Sequence, residues 1–386
     1  LAVSLPFYTL LQIFLNTFIG FIEAKYKLYS EDLFEKVVVL LLTILLLYMG
    51  YNVLGAAIAY STAFILTFFL AAYFLIKKFP LFNEKIKTIP AKKELLLFSL
   101  PLILSSVMGA LLPRVDTLML GLLDTVSNVG IYNAAFPTAL LIAIVFDSLG
   151  HLFMPVSTEL YSKDKSQELS NIYKITTKWG AALSLPLLAL MLLFPFSIIG
   201  ILFGSEYTAG ATVLSILSVG YFMLGLLATS GAMLRTLGKT KFELINTSIA
   251  LIVDIILNLY LIPPYGIIGA AIATTISLTL LRILGLIEVF YFTKMQPFSK
   301  DIIKPILAAI ISTAVIYALS KSIFTEFPIH ILLLMLIIFL AVYSFMLLIM
   351  KGFGREDFMI VLAIEKKLGL NLKNTKKLLK YLYKIK

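Results

Sequence analysis

The chain has 386 residues, 60% of them hydrophobic and 14% charged, with a mean hydropathy of +1.01 and a formal net charge of +11. Soluble domains run nearer 45–50% apolar and about 25% charged, so this composition excludes a water-soluble globule. The lack of cysteine excludes disulfides and thiolate chemistry, the two histidines (His151 and His330) are far apart, and no cofactor or metal site is indicated.

In chain order, hydropathy and the charged breaks predict three helices at 1–22, 33–50 and 54–76. Six more follow at 96–121, 129–159, 177–203, 209–234, 242–262 and 266–292, then two at 303–320 and 329–350. Runs of 18 residues or more are long enough to cross a ~30 Å hydrocarbon core as helices. Inside lipid every backbone N–H and C=O must be paired within the segment, so helix is the reading these runs allow. The expected fold is an all-α membrane protein of eleven spans. The first 22 residues have neither a basic leader nor a small-residue cleavage site, which argues against a signal peptide.

The loops orient these spans. Lys25, Lys27, Lys77, Lys78, Lys85, Lys87, Lys92 and Lys93 fall on one side, as do Lys163, Lys165, Lys174, Lys178, Arg235, Lys239, Lys241, Lys294, Lys300 and Lys304. The loops of the other side (51–53, 122–128, 204–208, 263–265 and 321–328) contain one basic residue, Lys321. Basic loops mark the cytoplasmic side, so a C-terminus inside a cell membrane is expected. The +11 charge then reflects cytoplasmic loops beside anionic lipid rather than nucleic acid. In the tail, Leu378, Leu379, Leu382 and Ile385 form a stripe against Lys376, Lys377, Lys380 and Lys384, which suits either an interfacial helix or a solvated basic tail.

The chain also repeats itself. Gly55-Ala56-Ala57-Ile58-Ala59 recurs as Gly269-Ala270-Ala271-Ile272-Ala273 at an offset of 214, and at that offset Tyr51 meets Tyr265, Lys25 meets Lys239 and Lys27 meets Lys241. Both copies run in the same direction, so a parallel repeat about the membrane normal is expected. The second copy has three further helices ahead of it. By symmetry roughly 120 residues, three helices, would precede Leu1 in a complete first copy. The predicted organisation is the second half of one six-helix bundle with its linker (1–92), a full six-helix bundle (93–294), two additional helices (295–351) and a basic tail (352–386).

At this point the chain resembles a family. Phe98-Ser99-Leu100-Pro101-Leu102, Asp116-Thr117-Leu118-Met119-Leu120-Gly121, Leu237-Gly238-Lys239-Thr240 and Pro264-Tyr265-Gly266-Ile267-Ile268-Gly269-Ala270-Ala271 are similar to segments of the multidrug/oligosaccharidyl-lipid/polysaccharide exporter superfamily. Among its members the polysaccharide-biosynthesis flippases look closest. The resemblance implies two six-helix halves rocking about a central cavity. That cavity would admit the polar head of a polyprenyl-linked saccharide while the lipid tail stays in the bilayer.

Charge within a span is costly, about 2.5–3.5 kcal/mol per residue, and marks candidate function. The candidates are Arg114, Asp116, Asp147, His151, Asp254, Arg282 and Glu288. Asp116 shares a small, polar face with Ser106, Gly109 and Pro113; Asp254 shares one with Thr247 and Asn258; Arg282 shares one with Thr275 and Thr279. Asp147 and His151 stand one turn apart. Asp254 and Arg282 are expected to pair across neighbouring helices, Arg114 can snorkel and Glu288 suits the interface. Pro101, Pro137 and Pro186 are candidate kinks.

A flippase for lipid-linked oligosaccharide is the leading reading, since a deep guanidinium suits a diphosphate head. A coupling ion, proton or sodium, is a further expected partner besides membrane lipids. The alternatives are a cation-coupled multidrug exporter of the same fold and, from another class, a membrane polysaccharide polymerase or glycosyltransferase. The short outer loops, nearly free of titratable groups, argue against the enzyme.

Overall fold

Regular structure in the computed structural model is helical throughout the described residues, which are 4–20, 24–78, 103–104, 107–323, 329–350 and 352. The whole of segment 98–102, with Pro101, and the basic tail from 353 lie outside them, as does the 78–94 linker beyond Lys78. Contacts divide the chain into two units, Leu1–Lys92 and Lys93–Lys386.

The first unit holds α1 (Leu5–Gly20), α2 (Ala24–Lys27), a π-helical segment (Leu28–Glu35), α3 (Lys36–Tyr48) and α4 (Asn52–Lys78). The second span therefore begins at Ala24, nine residues before the predicted 33. Its charged first third continues the helix instead of forming a loop. Leu11, Leu15, Phe18, Ala71 and Leu75 form the core, with Phe14 stacked on Phe68 at 5.5 Å.

The second unit runs α5 (Val115–Leu123), α6 (Val126–Ser162), α7 (Ser166–Leu193), α8 (Pro195–Phe203), α9 (Ala211–Leu226), α10 (Ala228–Thr236), α11 (Thr240–Thr293), α12 (Ile303–Ile323) and α13 (Ile329–Ile349). Among the described residues seven helical stretches are long and apolar enough to cross a membrane, the stretch 240–293 among them. That stretch is two helices folded at Gly266, where φ is +56°.

The helices meet where side chains are missing. The Phe146 ring of α6 lies so close to Gly225 of α9 that a Cβ there would stand 2.0 Å from its Cδ2; at Gly180 of α7 a Cβ would stand 2.5 Å from its Cε1. Gly220 admits Thr275, whose hydroxyl donates to the Ile216 carbonyl at 3.0 Å. Close helix approach through small residues is the usual packing inside membranes.

The repeated glycines have matching roles. A Cβ on Gly269 would lie 2.1 Å from the Leu261 carbonyl oxygen, and one on Gly55 would lie 3.0 Å from Leu46 Cβ. The turn residues Asn52 and Gly266, also 214 apart, are both left-handed, with φ of +40° and +56°. Each pair closes a helical hairpin. Gly269→Ala has no flexible side chain to push aside, so it is expected to lose about 3 kcal/mol or more, read as a sharp fall in folded, detergent-extracted protein. Gly55→Ala, whose nearest neighbours would be the Leu46 and Tyr51 Cβ atoms at 3.0 Å, is expected to be milder.

The expected proline kinks are not where the sharpest breaks occur. α6 continues through Pro137 and Pro155, and α7 through Pro186. The breaks fall at Phe194, ahead of Pro195, at Leu227 and at Gly266. At Leu227 no proline is involved; the carbonyl it frees is taken by the Ser230 hydroxyl. Membrane helices tolerate such breaks where hydroxyls satisfy the released backbone.

Candidate functional site

Asp116 lies on the first turn of α5 and is fully buried. Tyr132 of α6 donates its hydroxyl to Asp116 Oδ2 at 2.6 Å, and Thr274 of α11 donates to the same oxygen. Asn258 Nδ2 donates to Asp116 Oδ1 at 2.9 Å and lies 3.3 Å from Asp254 Oδ2. Two carboxylates, 0% and 1% exposed, thus share one amide. The hairpin at Gly266 makes this possible, because it returns Thr274 and Ser277 alongside Asn258 and Asp254.

The cluster is not fully satisfied. Asp254 Oδ1, Asn258 Oδ1 and Ser277 Oγ have no hydrogen-bond partner, and the Ser277 hydroxyl faces the Asp254 carboxylate without reaching hydrogen-bond geometry. Leaving such groups buried and unmatched costs about 1–3 kcal/mol each, and more where they are charged. Two neighbouring carboxylates in so dry a place cannot both be ionised without a compensating cation. Chemically the arrangement is a buried oxygen-rich cage suited to one small positive charge.

Arg282 and Asp254 do not pair, contrary to the expectation. Asp254 is level with Ser277, whereas Arg282 lies more than a turn further along the helix and reaches away from it. The Arg282 guanidinium lies against Gly231 of α10, where a Cβ would stand 2.6 Å from Nη1. Glu243, the nearest acid there, is already bound by Arg235. Among the described residues Arg282 makes no ion pair, and its Nε has no hydrogen-bond partner. Asp147 of α6 is exposed and close enough to act electrostatically on Arg282. Glu288 accepts from Asn246 Nδ2 at 2.6 Å, and Arg114 is exposed. The side chain of His151 lies outside the described residues.

Sequence reasoning missed four partners of the acids: Tyr132, Thr274, Ser277 and the bridging role of Asn258. Tyr132 is six residues beyond the start of its helix and carries no pattern signal. Thr274 and Ser277 share a helix face with the repeated alanines, and polar residues among small ones were the available sign. It also missed charge in the first unit. Gln12 Nε2 donates to Glu31 Oε1 at 3.1 Å, and Lys36 Nζ bonds Glu35 Oε1 at 2.7 Å. The π-helical turn joins Glu31 to a span that hydropathy began at 33, and Glu35 and Lys36, inside that predicted span, were not among the candidates.

Known proteins share this architecture. The polysaccharide biosynthesis protein family profile matches residues 1–161, and the MatE family profile matches 101–260. The lipid II flippase MurJ in an inward closed conformation aligns over 90% of this chain and 72% of its own, with a TM-score of 0.71 and 21% identity. The likeness is to polysaccharide biosynthesis and MatE proteins, the two profiles together spanning residues 1–260, and the fold is that of the MurJ structure. A probable low-salt glycan biosynthesis flippase, Agl15 of Haloferax volcanii, is 28% identical over 175 residues, 45% of this chain and 37% of that protein. Capsular polysaccharide biosynthesis protein CapF of Staphylococcus aureus is 26% identical over 235 residues, 61% of this chain and 57% of that one. The chain therefore spans about a third to somewhat over half the length of these relatives.

The two copies of the repeat are chemically unequal. At the offset of 214, Asp254, Asn258, Thr274 and Ser277 meet Leu40, Ile44, Tyr60 and Ala63, and Arg282 meets Phe68. Packing alone would not require a buried acid cluster in one copy and an apolar one in the other.

Proposed function

We propose that this chain serves to move a polyprenyl-linked oligosaccharide across the cell membrane by alternating access, driven by a monovalent cation held at the Asp116–Asp254 cluster. The observation that carries the coupling is the pair of buried acceptor oxygens without donors at that cluster, Asp254 Oδ1 and Asn258 Oδ1. A proton on one carboxylate or a sodium ion between them would satisfy these oxygens. Carboxylates and carbonyls at the folded ends of membrane helices are where transporters hold such ions. The names of the relatives support the cargo, and a transporter rather than an enzyme is the consistent role.

Arg282 and Asp147 would serve the cargo. A guanidinium with an unpartnered Nε, on a helix within the membrane, suits the phosphate of a carrier lipid. Glu243 stays bound to Arg235 and would not compete. A multidrug exporter of the same fold is the second reading, favoured by the MatE match over 101–260. The test is complementation of a strain that lacks its own flippase for a surface polysaccharide. Restored polysaccharide supports the saccharide cargo; restored drug resistance without polysaccharide supports the second reading.

The orientation is tested separately. Single cysteines are clean probes in a chain with none of its own. Cysteines replacing Lys163 or Lys165, between α6 and α7, are expected to resist an impermeant thiol reagent in intact cells and to react after permeabilisation. Labelling in intact cells would invert the proposed topology.

A further inference from the structure

The last two described helices, α12 and α13, pack against the second unit, and one contact of α13 bears on how α7 keeps its shape. The Tyr343 hydroxyl donates to the Ala182 carbonyl of α7 at 2.9 Å. Ala182 stands four residues before Pro186. In an unbroken α-helix the carbonyl of residue 182 accepts from the N–H of residue 186. Proline has no N–H, and its ring crowds the carbonyl four residues earlier. A buried tyrosine hydroxyl usually finds some acceptor. Here the acceptor is the carbonyl that Pro186 leaves without a donor in its own helix.

The donor is held firmly. Tyr343 is buried, and its ring stacks at 6.0 Å on the fully buried Phe339. A second tie runs beside the first: one turn before Ala182, Lys178 Nζ donates to the carbonyl of Gly352, just past the end of α13, at 3.4 Å. Proline inside a helix is a common cause of a sharp kink, yet α7 continues through Pro186 from Ser166 to Leu193. Membrane helices keep such prolines where a neighbouring helix satisfies the freed backbone. The part of α7 ahead of the proline meets the helices around it. Thr177 pairs with Thr229 of α10 at 2.9 Å, Gly180 receives the Phe146 ring of α6, and Tyr173 packs in one cluster with Ala232 of α10. A kink at Pro186 swings this part relative to the rest and pulls it from α10.

We propose that α13 is a brace for α7: the Tyr343 hydroxyl stands in for the N–H that Pro186 lacks, holds α7 straight and so keeps α10 packed against it. The brace goes beyond the transport reading and holds whatever the cargo is. With the hydroxyl removed, the Ala182 carbonyl has no donor, α7 kinks at Pro186 and its first part separates from α10. With Pro186 replaced by alanine, the helix supplies its own N–H and needs no brace.

The test is a double-mutant cycle on the purified full chain. Tyr343→Phe is expected to lower the unfolding temperature by about 2–5 °C. In the Pro186→Ala background the same change should lower it by no more than about 1 °C, because the intrahelical N–H then serves Ala182. A second readout follows the helix itself. Ala232→Cys places the sole thiol of this cysteine-free chain in the cluster with Tyr173, at a position 2% exposed. Well below the unfolding temperature, its labelling by a small thiol reagent should be about tenfold faster with Tyr343→Phe. Adding Pro186→Ala should return labelling to the parental rate. A tyrosine that only fills space would cost the same in both backgrounds. Equal losses with and without Pro186→Ala, up to the absence of folded protein in both, would therefore overturn the brace. Labelling of Ala232→Cys that Tyr343→Phe leaves unchanged would overturn it too.

Discussion

Asp116→Asn is expected to abolish cation-dependent stabilisation of the protein. In the wild type a cation at about 100 times its dissociation constant should add about 2.7 kcal/mol to stability, read as a raised unfolding temperature in sodium or at lower pH. The Asn variant loses a negative charge from a cluster whose other acid, Asp254, is 1% exposed. It also presents an amide to three donors, Tyr132, Thr274 and Asn258, which need an acceptor. Its intrinsic stability should fall modestly, because one amide oxygen can still accept from part of the set. Asp116→Ala should be worse, by about 3 kcal/mol, since Tyr132, Thr274 and Asn258 lose their common acceptor and keep only the Thr274 hydroxyl, the Ala270 carbonyl and Asp254 Oδ2 respectively. If Asp116→Asn keeps the full cation-dependent shift, the site lies elsewhere.

Arg282→Ala is expected to lose transport while the protein still inserts and folds. Arg282 contributes no ion pair among the described residues, so its removal breaks none. It leaves space against Gly231, where the guanidinium now lies. Arg282→Lys keeps the charge but not the planar fork, and should retain only a small fraction of transport. Gly231→Val supplies a control on placement, because a side chain there must displace Nη1 from its 2.6 Å approach. It should impair transport about as much as Arg282→Lys if that position is the one used. The measurement is complementation with the membrane level of each variant quantified. Normal transport by a stably present Arg282→Ala would leave the guanidinium with a structural or lipid-facing role.

Much of the fold could be read from the sequence because lipid imposes one solution on apolar runs. The all-helical fold and the hairpin recurring at Gly55 and Gly269 followed from hydropathy and small residues. Charge at helix beginnings was harder. Lys27 and Glu31 look like a loop by composition, yet the backbone stays helical through a π-turn that leads into Glu35 and Lys36. The break at Leu227 also has no local signal, since it depends on the Ser230 hydroxyl and on packing against α7, where Thr177 meets Thr229 at 2.9 Å. Of the site, Asp116 and Asp254 were legible as isolated intramembrane acids on polar faces. Their proximity was not, because it depends on how α5, α6 and both legs of α11 pack. The expected Asp254–Arg282 pair failed for the same reason: depth along a helix is readable from spacing, but the direction a long side chain takes is set by the neighbour that leaves room, here Gly231.

The most direct test of cation-coupled flipping uses proteoliposomes that contain a fluorescent saccharide linked to a polyprenyl diphosphate, with sodium or proton gradients of matched size imposed in turn. The account predicts that one of these gradients speeds flipping by the wild type about tenfold or more, and that Asp116→Asn shows the same slow rate with or without it. Flipping at one rate in both proteins, indifferent to either gradient, would contradict it.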